Sequence, residues 1–299
     1  MNEVPPSVRR LAEEREAARG RMDFGAADEL RDRIALAGYE VTDTLDGPVL
    51  APRADAVPVA RRSEDVPSVL SAPPSTDASV EWIVQGWPED VVRGIESFRR
   101  HEGGRSVQHV VVEATGRAAY SWPDGVELIR VEPRAGWAVA RNAGLRRATG
   151  EIVLVVDGSL EASGDVFGPL ARSMRDATIG VTGPFGIATE DLREFRESPG
   201  PDVDAIEGYL MALRRELLVG GLRFDEKFKF YRSADIELSF QVKAMGLRAT
   251  VTPVPVTRHV HRVWAATSEH DRARLSKRNY YRFLDRWRGR TDLLVRTKG

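Results

Sequence analysis

Between residues 79 and 157, short apolar runs alternate with segments of helical period, and this alternation restricts the fold more than any other feature. Val80–Val84, Val107–Val112, Val126–Val131 and Ile152–Val156 are runs of strand length, rich in β-branched residues. Pro88–Arg100 sets Val91, Ile95 and Phe98 on one helical face, and Ala138–Ala148 reads as a second helix. Ile152–Val156 contains no polar residue, the pattern of a parallel strand buried on both sides. Such alternation predicts an α/β fold with a doubly wound sheet, whose ligands bind outside the carboxyl ends of the strands.

The flanking segments read differently. Residues 7–37 predict two helices, the first capped by Ser7 and the second by Asp23. Leu11, Ala18 and Met22, then Ala27, Leu30 and Ile34, supply the apolar stripes, and Gly38 suits a left-handed stop. Tyr39–Leu50 reads as a small hairpin turning at Asp46-Gly47. Residues 1–53 therefore form a helical hairpin module. Residues 54–78, rich in Pro, Ala, Ser and charge, read as an extended or disordered linker. The α/β domain is expected over 79–288, followed by a basic tail, 289–299.

The 299 residues include no cysteine, which excludes disulfides and thiolate metal sites and suits a reducing, cytoplasmic setting. No run approaches a membrane span, and Met1-Asn-Glu-Val-Pro-Pro lacks the pattern of a secretory signal. The net charge of −1 is unevenly spread. Residues 1–53 hold 8 basic and 11 acidic residues, whereas 258–299 hold 12 basic and 4 acidic ones. The basic end suits phosphates, an anionic lipid surface or plain solvation.

Several residues stand out as chemistry. Asp157 directly follows Ile152–Val156, at the edge where ligands bind, although an Asp before Gly158 also suits a turn. Asp235 and Glu237 open the helix after the turn-rich stretch 220–226. Free N–H groups at a helix start stabilise a carboxylate, which suits both a general base and an ordinary cap. His259 and His261 read as alternate positions of a strand, with one side chain on each face, so that at most one points at a site. Tyr280, Phe283, Leu284 and Trp287 recur at helical spacing as a packing stripe.

Two resemblances add to this. Glu13-Glu-Arg-Glu-Ala-Ala-Arg-Gly-Arg-Met-Asp-Phe-Gly25, on through Gly38 and then Val41-Thr-Asp-Thr44 and Asp46-Gly47, resembles the extreme C-terminal piece of cysteinyl-tRNA synthetases. That piece lies near the tRNA anticodon in its family. This copy is net acidic, a poor grip on phosphates, so nucleic acid is not the expected partner. Gly136-Trp-Ala-Val-Ala-Arg-Asn-Ala-Gly144 and Ala148-Thr-Gly-Glu-Ile-Val-Leu-Val-Val-Asp157 resemble the middle of family 2 glycosyltransferases of GT-A fold. Arg214-Arg-Glu-Leu-Leu-Val-Gly-Gly221, Phe224-Asp-Glu226 and Ala234-Asp-Ile-Glu-Leu238 resemble that family's acceptor-side region, and Ser276–Trp287 its C-terminal helix.

This second resemblance implies a mixed GT-A sheet and transfer of a sugar from a nucleotide-diphosphate donor to an acceptor hydroxyl, with inversion. Asp235 falls where the family places its base, with Glu237 as a supporting carboxylate or acceptor contact. Asp157 falls where an Asp-x-Asp motif usually holds Mg²⁺ or Mn²⁺, but the second carboxylate is replaced, in Asp157-Gly158-Ser159. Glu161 and His261 are the candidates to complete a metal site, and Arg258 and Arg262 the alternative means of neutralising the diphosphate. Gln85, Gly86, Glu113, Arg141 and Asn142, with Asp157 and Ser159, are the expected donor contacts. The resemblance implies a glycan or lipid-linked acceptor without naming it, and a lipid-linked one would fit a peripheral membrane contact by the basic tail. Two alternatives stand: a nucleotide-sugar-binding module of this fold without turnover, and a tRNA- or synthetase-associated protein.

Overall fold

The computed structural model describes residues 4–44, 47–52, 58–116 and 120–295. The first helix, Pro6–Gly20, starts one residue before Ser7, with Pro6 at its first position. Proline fits there because its missing N–H would have no partner in the helix, so the exposed Ser7 makes no cap. Asp23 does cap the second helix, Phe24–Leu36, accepting from the Ala26 amide at 3.1 Å. Met22 leaves the apolar stripe: it has φ +58° and is 76% exposed in the turn between the helices. Gly38 takes the left-handed conformation, and Tyr39–Thr44 pairs antiparallel with Gly47–Pro52. Val8, Ala12 and Ile34 form this unit's own small core. The expected turn at Asp46-Gly47 falls partly outside the described residues.

The α/β domain is built on a nine-stranded mixed sheet. Across the sheet lie Asp202–Val203, Arg248–Val251, Ile179–Gly183, Leu210–Arg214, Gly150–Val156, Thr76–Val84, Val107–Glu113, Val126–Val131 and Val59–Ala60. Thr76–Val84 is parallel to both neighbours, the doubly wound centre that the alternation predicts. Leu210–Arg214 runs antiparallel between Gly150–Val156 and Ile179–Gly183, making the sheet mixed.

Side-chain alternation divides the core into two layers. Val80, Trp82, Val84, Leu154 and Val156 pack with Val91, Ile95 and Phe98 of helix Pro88–Arg99 on one face. Ile83, Val110, Val112, Val153 and Val155 pack on the other, with helices Trp137–Leu145 and Ala234–Ala244. The fully apolar strands are thus covered on both sides, and burying them supplies the main driving force.

The stretch read as a linker behaves otherwise from residue 58 onward. Val59–Ala60 joins the sheet edge parallel to Val126–Val131, and Ala60 and Val66 are buried in the core. Arginines stitch the remainder down: Arg146 donates to the Val66 carbonyl (2.7 Å), Arg147 to Pro67 (3.0 Å) and Arg215 to Val69 (2.8 Å). Local composition conceals this, because the partners are all distant in the chain. At the other end, helix Glu269–Trp287 buries Phe283 and Trp287 as the stripe predicts. The first residues of the basic tail also pack down, with Leu293 and Leu294 against the core and the Val295 amide on Asp204 at 2.7 Å. Residues 296–299 lie outside the description.

Candidate active site

The carboxyl ends of Thr76–Val84 and Gly150–Val156 meet the start of the antiparallel strand Leu210–Arg214 at one edge of the sheet. A pocket of about 280 Å³ opens there. Both Asp157 and Asp235, distant in sequence, line it, with Trp137, Arg141, Glu207, Tyr209, Tyr231 and Arg232 among their neighbours. A smaller cavity, lined by Gln85, Trp87, Ser159 and Arg262, shares Asp157 and His261 with the first.

Asp157 ends its strand with its backbone N–H on the Tyr209 carbonyl. Its Oδ1 accepts from the Ser159 amide (2.8 Å) and hydroxyl (2.5 Å). Its Oδ2 faces His261 Nε2 at 3.3 Å. Burial pushes the Asp157 carboxyl up, but His261 and Ser159 outweigh it and bring it below the ordinary range. His261 Nδ1 accepts from the Trp264 amide at 3.1 Å, so its hydrogen sits on Nε2 and points to Asp157. His259 and His261 follow the short strand Val256–Arg258 in irregular backbone, so strand alternation does not govern them. His259 instead meets Glu161 at 2.9 Å.

Asp235 opens helix Ala234–Ala244, after Ser233 in the left-handed conformation at φ +64°. Its Oδ2 accepts from the Gly208 amide (2.8 Å), and its Oδ1 from the Ile236 amide (2.9 Å). Burial raises its pKa against the pull of these amides. The loop before it is fixed from the C-terminal helix: Asn279, 2% exposed, donates to the carbonyls of Phe230 (2.6 Å) and Arg232 (2.8 Å).

Other expected site residues take different places. Glu237 follows Asp235 by two residues, roughly 200° around the helix, and so faces away from the pocket. It is buried against Gln241 (2.7 Å) and Arg286 (2.5 Å), which makes it a packing carboxylate. Asn142 pins the loop after Leu222, exchanging hydrogen bonds with the Phe224 backbone (2.9 and 3.0 Å) and donating to Glu226 (3.1 Å). Those bonds occupy its amide, and it does not face the pocket. Arg141 lines the pocket but is anchored below it, donating to Glu81 (2.5 Å) and the Val156 carbonyl (3.1 Å). Glu113 folds back on the Thr115 amide at 2.7 Å and lines neither cavity. Gln85 lines the smaller cavity, and Gly86 beside it has φ +118°, a conformation suited to glycine.

The residues proposed for a divalent cation do not fit one as arranged. Such an ion needs several oxygen donors with free lone pairs. Glu161 is turned to His259 and lies near Arg93 (3.8 Å) and Arg100 (3.7 Å), so it does not join Asp157. His261 presents an N–H rather than a lone pair. Among the described residues, no group of three or more His, Asp or Glu side chains has the spacing of a metal site.

Sequence reasoning missed Glu207, Tyr209, Tyr231 and Arg232. Tyr231 and Arg232 lie just before Asp235, a signal that was available. Glu207 gave none, since it precedes its strand in irregular backbone. Burial, then the nearby Asp235, push the Glu207 carboxyl up to about 7, against Arg258 and Arg232.

With this geometry in view, comparison defines the class. Residues 109–236 match the family model described as Glycosyl transferase family 2. A solved structure of GalNAc-T7 with UDP, GalNAc and Mn²⁺ is similar over 73% of this chain and 49% of that one, with TM-score 0.57 and 18% identity. The α/β domain therefore has the GT-A fold of glycosyltransferases, and its stretch 109–236 matches the family 2 model. A separate similarity is to cysteine–tRNA ligase: 50% identity over 46 residues with the Methanosarcina acetivorans protein and 46% over 46 residues with that of Chlamydia caviae. Each match spans 15% of this chain and about a tenth of those ligases. No helix among the described residues is long and apolar enough to cross a membrane.

Proposed function

We propose that this protein moves a sugar from a nucleoside-diphosphate donor to an acceptor hydroxyl with inversion. The observation that carries the reading is the convergence of Asp157 and Asp235 on one pocket at the carboxyl edge of the sheet. GalNAc-T7, whose fold this domain shares, was solved with UDP, which supports a donor of this class. In the proposed step the acceptor oxygen forms a bond to the anomeric carbon as the bond from that carbon to the diphosphate oxygen breaks. The electron pair leaves with the nucleoside diphosphate, and the acceptor proton passes to Asp235. The Gly208 and Ile236 amides hold that carboxylate in place, and Asp157 orients the donor through Ser159 and His261. Tyr209 and Tyr231 bracket the His261 ring, with centroids 6.1 and 4.6 Å away.

A panel of nucleotide sugars, assayed for transfer to glycan and lipid-linked acceptors and for hydrolysis, tests the reading with Asp235→Asn beside the native chain. Turnover that survives Asp235→Asn unchanged removes Asp235 as the base. Ser159, in place of a second carboxylate, favours a second reading, a donor-binding module without turnover. Binding of donor across the panel with no product would support it. The similarity to a 46-residue piece of cysteine–tRNA ligase leaves an association with tRNA as a third reading. Absence of tRNA retention by the full chain at moderate salt would eliminate it.

A further inference from the structure

The metal geometry raises a question that the proposed reaction leaves open: what neutralises the departing diphosphate. Two independent observations bear on it. The carboxylate expected to hold a cation is already engaged, with Asp157 Oδ1 on Ser159 and Oδ2 facing the Nε2–H of His261. The second observation is the cationic side chains at the two cavities.

Arg232 lines the main pocket, and among the described residues no carboxylate lies within ion-pair distance of it. Its guanidinium is 5.4 Å from the Trp264 ring centroid, a cation–π contact that helps hold it in place. Its backbone is fixed by Asn279 at 2.8 Å. An arginine pre-placed at a pocket wall, near Glu207 and Asp235 but in direct contact with neither, is suited to an anionic ligand. Arg262 stands at the smaller cavity on the other side of His261. It pairs with Glu89 at 2.5 Å and approaches Asp90 at 3.4 Å. Glu89 is about half exposed, and water can replace the arginine there when a more highly charged anion arrives. Between the two arginines, His261 lines both cavities and keeps its Nε2–H on Asp157, so that carboxylate stays occupied.

We propose that the donor's diphosphate is neutralised by Arg232 and Arg262, and not by a divalent cation held on Asp157. This rests on the donor reading above and specifies how that site takes its ligand. The leaving oxygens then meet guanidinium donors, which stabilise developing charge without a metal.

The test is calorimetric titration of the full chain with UDP, GDP, CDP, ADP and dTDP, each in EDTA and again with Mn²⁺ or Mg²⁺. At least one of them is expected to bind in EDTA, with its Kd changed by less than about threefold on adding either cation, well inside one charge-assisted contact. Arg232→Ala and Arg262→Ala should each weaken that binding about tenfold or more, and Arg232→Lys should recover part of the loss by restoring the charge. Both arginines are at the surface of cavities, and unchanged melting curves would show that the variants fold. Binding that needs the cation, or tightens more than about threefold with it, overturns the arginine assignment and leaves the donor reading standing. So do arginine variants that bind like the native chain. No binding of any nucleoside diphosphate under either condition removes both.

Discussion

Asp235 has the two properties a base needs: access to the pocket and a carboxylate locked by the amides of Gly208 and Ile236. Asp235→Asn keeps the shape and removes the basicity, so transfer should fall about 10²- to 10⁴-fold, with nucleoside-diphosphate binding retained by calorimetry. If Asp235 is the base of the proposed reaction, its raised pKa sets the acid limb of the rate profile. Its base form is lost on acidification at a higher pH than a free aspartate would be, and a pH–kcat series should show the limb displaced upward. Glu207 gives a separate prediction on stability. Its pKa is 4.5 in the unfolded chain and about 7 in the fold, so the folded state binds the proton more tightly. Its favourable contribution is complete below pH 4.5 and lost as pH rises through 7. Glu207→Gln should therefore gain thermal stability relative to the native chain across that interval and hold the gain above it. For each 1 kcal/mol of ionisation cost, the gain in melting temperature is about 2–4 °C.

Two neighbouring residues of helix Trp137–Leu145 show how an element supports the site from within the protein. Arg141 neutralises Glu81, and both side chains are almost wholly buried, 1% and 2% exposed. Burial lifts the Glu81 carboxyl to about 7 even with Arg141 pulling the other way. Arg141→Met would strand that carboxyl, and chemical denaturation should show a loss of about 3–5 kcal/mol. Asn142 acts on the other side, holding Phe224 and Glu226. Asn142→Ala leaves the Phe224 amide unpaired, at a cost of about 1–3 kcal/mol in the same assay. The sequence marked both residues as special but assigned them to the donor. A helix position states that a side chain points inward and leaves unstated whether ligand or protein awaits it. The same holds for Glu237, whose partner Arg286 is 49 residues away.

For the molecule as a whole, the segment 58–75 matters more than its composition suggests. Removing residues 1–52 deletes a unit with its own core, so a chain beginning near residue 58 should keep its cooperative melt and its nucleotide binding. Extending the deletion to residue 75 strips the Val59–Ala60 strand, buried Val66 and the Ser63–Glu226 hydrogen bond, and should lower the melting temperature sharply. Equal melting of the two truncations would show that the stretch adds nothing. The sequence by itself determined the alternating elements, the two-layered core and the placement of Asp157 at a strand end, because apolar period and strand length are local properties. It also marked Asp235 as a helix-start carboxylate, since capping chemistry is read within one turn. Only the tertiary structure decided that these two carboxylates share a pocket. It alone turned His261 toward Asp157 and His259 toward Glu161, and it alone brought in Glu207 and Arg232. Those relations depend on which strand ends lie side by side and on packing between residues far apart in the chain, which no local pattern encodes.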